Sequence, residues 1–265
     1  MRHLIWLKKF IHQIRMKNYA FIIGAQRCGT TYLVKKMQEH PDITVAEPIF
    51  PEPKFYLKGE NQEKGPEEYY QTLFHNIISK LYVEKSTSYM ENPKVAECIS
   101  RHFPEASIIV MLRNPIHRAI SNYFFSKKNG LENLDLEDAF AAEEERLVNK
   151  AWKDISVSPY AYKLRGHYIN YLKIWSHFFK QNNIHIIFFE ELISSKQNIN
   201  DLFQKLGLSK TKLKFSNQPL NQGDYPSGFK VPDKLFKNLQ NEFFPTVNEL
   251  DHEFGTNASF LWGFN

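Results

Sequence analysis

Residues 21–31 read Phe21-Ile22-Ile23-Gly24-Ala25-Gln26-Arg27-Cys28-Gly29-Thr30-Thr31. A short apolar run ends in a glycine; a second glycine follows, then two threonines. Tyr32, Leu33 and Met37 come next at helical spacing. The pattern is strand, tight loop, helix. Such a loop turns backbone N–H groups inward at a helix N-terminus, which suits a phosphate. The chain therefore reads as built to hold a phosphorylated nucleotide.

The loop differs from that of ATP-hydrolysing proteins. Thr30 stands where their motif needs a lysine, and the basic residue, Arg27, lies inside the loop. Apolar runs recur at 20–23, 81–83, 107–112 and 184–189. Helical patterns separate them, at 31–40, 66–77, 92–103, 115–128, 136–148 and 160–179, with two more at 233–244 and 247–254. Strands that are apolar throughout and alternate with helices predict an α/β fold, a P-loop-like domain with a central parallel sheet flanked by helices. Ligands in such sheets bind beyond the carboxyl ends of the strands. Residues 216–232, rich in Asn, Gly and Pro, read as a long loop.

The 265 residues are 42% hydrophobic and 15% aromatic, enough for one large domain, expected over 19–265. The net charge of +5 fits anionic ligands and falls short of a nucleic-acid binder, which would need a clustered basic face. Cys28 and Cys98 form no CxxC pair and read as two thiols in a reducing compartment, so the expected location is cytoplasmic. No apolar run reaches the roughly 18 residues of a membrane span. Residues 1–18 form a basic amphipathic helix with Leu4, Trp6, Phe10, Ile11 and Ile14 among its apolar positions. It reads first as docked on its own domain, and second as a peripheral contact with the inner membrane surface.

A second stretch, residues 107–123, carries chemistry. A buried strand ends in Arg113, Asn114-Pro115 opens a helix, and Ser121 lies two turns in. Arginine offers a planar fork that matches a phosphate, and a serine hydroxyl can add a bond. Alone, Arg113 would read as a helix-capping residue and Ser121 as surface. Together with the loop at 24–31, they read as a second phosphate site.

Jointly, these stretches resemble the sulfotransferase family, whose donor is 3′-phosphoadenosine 5′-phosphosulfate. The resemblance implies that Arg27, Gly29, Thr30 and Thr31, with Cys28 in the same loop, bind the donor's 5′ end. Arg113 and Ser121 would take its 3′-phosphate. Arg27 stands where the family usually has lysine. Pro51-Glu52-Pro53-Lys54-Phe55-Tyr56 resembles the Lys-Glu-x-x-Phe-Phe segment of heparan sulfate and related carbohydrate sulfotransferases, where the Glu is the catalytic base; Pro51 replaces the lysine. Glu84-Lys85-Ser86-Thr87-Ser88-Tyr89 resembles their Glu-Lys-Ser/Thr-x-x-Tyr segment, where the Lys faces the reaction centre. Residues 165–191 and 244–250 resemble the later helix–strand and the C-terminal Pro-x-x-Asn-x-x-Leu pattern of bacterial members. The implied catalytic set is Glu52, Lys85 and Arg27, without a metal. The implied partners are the small-molecule donor and a glycan or glycolipid acceptor, with no nucleic acid.

The chemistry agrees with that set. Sulfuryl transfer to an alcohol needs a base for its proton, cations and N–H groups at the departing phosphate, and a cleft holding both partners. Rival bases are Glu47, His117 and His167. Residues 143–145, Glu-Glu-Glu, read as a wet helix face, and Tyr168, Tyr171, Trp175 and Phe178 as core. Two other functions remain in view. A P-loop kinase is disfavoured by the absent lysine after Gly29 and by the lack of a clear Mg²⁺-binding aspartate. An inactive nucleotide-binding module is disfavoured by the presence of Glu52, Lys85, Arg113 and Ser121.

Overall fold

The computed structural model describes residues 18–75, 78–149, 158–213, 226 and 228–264. Residues 1–17 of the basic helix expected over 1–18, and residues 216–225 and 227 of the expected loop, lie outside the described residues; Asn18 belongs to the first strand. Contacts divide the chain into two compact units: residues up to 25, 29–111 and 173–216, and residues 26–28, 112–172 and 217 onward.

The first unit holds a sheet of five strands: β1 (Asn18–Gly24), β2 (Ile43–Val45), β3 (Leu81–Lys85), β4 (Ser107–Leu112) and β5 (Ile184–Phe188), in the order β2-β3-β1-β4-β5. β1 pairs in parallel with both β3 and β4, and β2 pairs in parallel with β3. Residues 19–24 of β1 and all five of β3 are buried, as a parallel sheet covered on both faces requires. Its helices are α1 (Thr30–Met37), α2 (Gly59–Gln62), α3 (Pro66–Phe74), α4 (Pro93–His102), α9 (Phe189–Ser194) and α10 (Lys196–Lys205). Tyr19, Phe21, Tyr69, Phe74 and Phe103 pack ring against ring; Tyr19 and Phe103 lie 4.3 Å apart between centroids. This cluster anchors β1 to α3 and to the turn after α4.

The second unit is helical: α5 (Pro115–Lys128), α6 (Leu136–Ala141), α7 (Glu143–Val148), the start of α8 (Tyr168–Phe178), α11 (Asp233–Phe254) and α12 (Ala258–Trp262). The Asn-Pro signals behave as their chemistry demands. Asn92 accepts from Lys94 and Val95 N–H at the start of α4, and Asn114 accepts from Ile116 and His117 N–H at the start of α5.

Several expectations are corrected. The patterns at 233–244 and 247–254 form one helix that runs through Pro245. Leu239, Phe243, Val247 and Leu250 are buried along one stripe spanning the proline, and that burial outweighs the lost backbone bond. The helix expected at 160–179 starts only at Tyr168. Upstream, the N–H groups of Lys163 and Leu164 are taken by the Glu143 carboxylate. Glu143 is thus buried, not on a wet face; Glu144 and Glu145 are exposed. β2, only three residues long, carries too little pattern to be read from sequence. Among the described residues no helix is long and apolar enough to cross a membrane.

Candidate active site

Parallel pairing places the carboxyl ends of β1, β2 and β3 along one edge of the sheet: Ile22 is level with Lys85 and Val45 with Val83. Gly24, the segment after Val45, and Lys85 all leave the sheet there. Gly29 stands at the N-cap of α1 with φ 82°, and a Cβ on it would lie 2.5 Å from the Phe189 ring. Both the backbone and the space demand glycine. No side chain caps α1, and its first turn holds no acidic residue. The N–H groups at a helix start have no partner within the helix, so this end suits an anion, whereas the start of α5 already has Asn114. Thr30 is buried and Thr31 half-buried on that first turn.

In the second unit, Arg27 adopts a left-handed backbone, φ 67°, a conformation that a bulky side chain rarely takes. Its guanidinium lies 4.4 Å from the Phe125 ring centre, and its Nε donates to Ser121 Oγ at 3.3 Å. Two residues read from sequence as holding opposite ends of the donor therefore touch each other. Arg113 follows β4 directly; its carbonyl accepts from the Tyr168 hydroxyl at 2.8 Å. Of the four aromatics read as core, Tyr168 and Trp175 are buried, whereas Tyr171 and Phe178 are only half-buried. Cys28 is buried beside the same hydroxyl, 3.7 Å from its sulfur.

In the first unit, Glu52 and Lys85, 33 positions apart, meet at 2.7 Å. The Thr87 N–H donates to Glu52 Oε2 at 2.9 Å, and the Thr87 hydroxyl reaches both carboxylate oxygens at 2.9 and 3.0 Å. Lys85 Nζ also lies 5.0 Å from the centre of the Phe50 ring, which is exposed. A cation and a carboxylate held against each other, the cation beside an open aromatic, can pair proton removal with charge stabilisation. Of the rival bases, Glu47 and His117 are exposed, and His167 sits 3.6 Å from Glu242 in the second unit.

Read from sequence, Glu84 falls within a matched segment but has no assigned role. It is fully buried, and it accepts from the hydroxyls of Ser86 and Tyr89 at 2.7 Å each and of Tyr69 at 3.0 Å. Burial pushes its carboxyl up to about 7, against the pull of the three hydroxyls; the charge of Glu52 adds to the rise. The signal was present: a glutamate that directly continues the apolar run Leu81-Tyr82-Val83.

A family model described as a sulfotransferase domain matches residues 17–221. The bifunctional heparan sulfate N-deacetylase/N-sulfotransferase 1 of Caenorhabditis briggsae is 31% identical over 180 residues, 64% of this chain and 20% of that protein. Human heparan sulfate glucosamine 3-O-sulfotransferase 6 is 29% identical over 163 residues, 60% of this chain and 44% of that protein. The chain thus spans less than half the length of either relative. A solved sulfotransferase structure from Alicyclobacillus acidocaldarius superposes with a TM-score of 0.72 at 25% identity, covering 94% of this chain and 99% of that one.

Proposed function

The chain belongs to the sulfotransferase family, and on that premise we propose that residues 19–265 move a sulfuryl group from 3′-phosphoadenosine 5′-phosphosulfate to a hydroxyl or amine of a carbohydrate-type acceptor. The observation that carries this reading is the 2.7 Å contact of Glu52 with Lys85. It joins the two segments that resemble carbohydrate sulfotransferases, and both relatives above bear heparan sulfate names. The acceptor class is a glycan or glycolipid. The family membership removes the kinase reading.

When bound, the donor supplies the sulfuryl group and a 5′-phosphate that leaves. Glu52 takes the proton of the acceptor hydroxyl. Lys85 holds the Glu52 carboxylate in place and adds positive charge where charge develops. Arg27, Thr30, Thr31 and the uncapped start of α1 bind the 5′ end; Cys28 and Gly29 shape that loop. Arg113, with its fork, and Ser121, with its hydroxyl, bind the 3′-phosphate. Each unit holds groups that suit an anion: a helix start with no side-chain cap in the first, and two guanidinium groups and a hydroxyl in the second. The thiols without a CxxC pair favour a reducing compartment, so we place the enzyme in the cytoplasm, with residues 1–18 as any contact with the inner membrane surface.

Titration calorimetry tests the donor site. Adenosine 3′,5′-bisphosphate is expected to bind more tightly than 5′-AMP, and Arg113→Ala to erase most of the difference. A hydrogen bond to a charged group contributes about 1.5–3 kcal/mol. Equal affinity of the wild type for both nucleotides would overturn the assignment. A labelled-donor panel of glycans, glycolipids, phenols and steroids tests the acceptor class, and turnover of phenols alone would reject it.

A further inference from the structure

Residues 46–54, which carry Glu52, belong to no strand or helix, so their path must be held by other bonds. The N–H of Lys54 donates to Ser86 Oγ at 2.9 Å, and the N–H of Tyr56 donates to the Tyr89 hydroxyl at 3.0 Å. Each of these hydroxyls then donates to the same atom, Oε1 of Glu84. Two parallel relays, N–H to hydroxyl to carboxylate, thus bracket residue 55. The carbonyls of Phe55 and Tyr56 are held as well, by Asn61 Nδ2 and Gln62 Nε2, each at 2.9 Å. Lys54, which makes the first of these ties, is in a left-handed turn, φ 49°. Such a conformation persists only where its surroundings enforce it.

The logic of the relay lies in the hydroxyls. Each has one hydrogen to donate and lone pairs to offer. A buried carboxylate that takes both hydrogens turns both sets of lone pairs toward the backbone N–H groups of residues 54 and 56. β3 and the residues that follow it then serve the Glu52 segment twice. Lys85 and Thr87 grip the Glu52 side chain, while Glu84 and Ser86, alternating with them in sequence, grip the backbone just beyond it.

We propose that Glu84 is a positioning residue for transfer: through Ser86 and Tyr89 it fixes the backbone at Lys54 and Tyr56 and so the aim of the Glu52 carboxylate. The proposal rests on the reading of Glu52 as the base. It has a consequence that a plain stabilising role lacks, because removing Glu84 should matter only while Glu52 is there to be aimed.

The test is a double-mutant cycle. Glu84→Ala and the double variant Ser86→Ala/Tyr89→Phe are each made in the wild type and in Glu52→Gln. Turnover is counted per site that binds adenosine 3′,5′-bisphosphate, so misfolded protein drops out. In the wild-type background both changes should lower kcat by about 10- to 100-fold, the cost of a misplaced group, with the donor KM unchanged. Glu84→Gln, whose carbonyl oxygen accepts from both hydroxyls, should restore most of the rate. In the Glu52→Gln background neither change should lower the residual rate further. An equal fold-loss in both backgrounds overturns the proposal. So does wild-type kcat in both variants while Glu52→Gln is inactive. If Glu84→Ala yields no binding sites, the Ser86/Tyr89 variant decides by the same criteria. Wild-type turnover in Glu52→Gln overturns the base assignment itself, and the inference falls with it.

Discussion

Two carboxylates serve the same short segment of chain and are surrounded in opposite ways. Glu52 has a side chain 15% exposed, touches the Lys85 cation, and takes donors from Thr87. Glu84 is fully buried, and its hydrogen-bond partners are the hydroxyls of Tyr69, Ser86 and Tyr89. A carboxylate that must exchange a proton with a substrate needs access and a nearby cation. One that must hold a scaffold needs directional donors that water cannot displace. Placing the two roles in separate residues lets the scaffold stay dry while the base stays reachable.

The largest effect that could break this contrast is on turnover. Glu52→Gln should lower transfer by about 10²–10⁴-fold while leaving bisphosphate binding intact, measured by labelled-donor assay and calorimetry. Glu47→Gln and His117→Ala, at exposed positions, are the controls. If one of them is inactive and Glu52→Gln is not, the base is that residue.

The next effect is on stability against pH. The fold lifts the Glu84 carboxyl from its ordinary 4.5 to about 7. Between those values the folded protein keeps a proton that the unfolded chain has already lost, so stability falls as pH rises through this window and levels off above it. The full drop is about 3 kcal/mol, at about 1.4 kcal/mol per unit. Glu84→Gln cannot ionise. Its stability relative to the wild type should therefore climb by that amount between pH 4.5 and 7.5 in denaturant titrations. A constant difference would show that Glu84 keeps its ordinary titration.

The smallest effect separates the relays from the rest of the network. Tyr69 donates to Oε2 of Glu84 and lies on neither relay. Tyr69→Phe should cost about 1 kcal/mol of stability and leave kcat unchanged. A loss of kcat matching that of the Ser86/Tyr89 variant would mean that the whole network, and not two paths through it, positions Glu52.

Much of this architecture was legible in the chain because its signals are local. β1, β3 and β4 are apolar runs, and Asn92-Pro93 and Asn114-Pro115 mark their helix starts by bonds to residues two or three places on. The errors arose where distant packing overrode local preference. Pro245 reads as a helix break, yet burial on both sides of it carries α11 through. Glu143 reads as solvated, yet two N–H groups some 20 positions away claim it. At the site, the pairing of Glu52 with Lys85 was legible through the resemblance, whereas the contact of Arg27 with Ser121 and the three hydroxyls on Glu84 were not.

The sequence by itself determined the strand–loop–helix around Gly24 and Gly29, the alternation that makes a parallel sheet, and the acidic and basic residues available for sulfuryl transfer. These follow from side-chain period, glycine geometry and capping, all of which act within a few residues. Only the tertiary structure decided that Arg27 would meet Ser121, 94 positions away, and that Glu84 would collect three hydroxyls under the Glu52 segment. The physical reason is that a buried charge or hydroxyl is satisfied by whatever partner the packing brings within about 3 Å, and that partner leaves no periodic mark in the sequence.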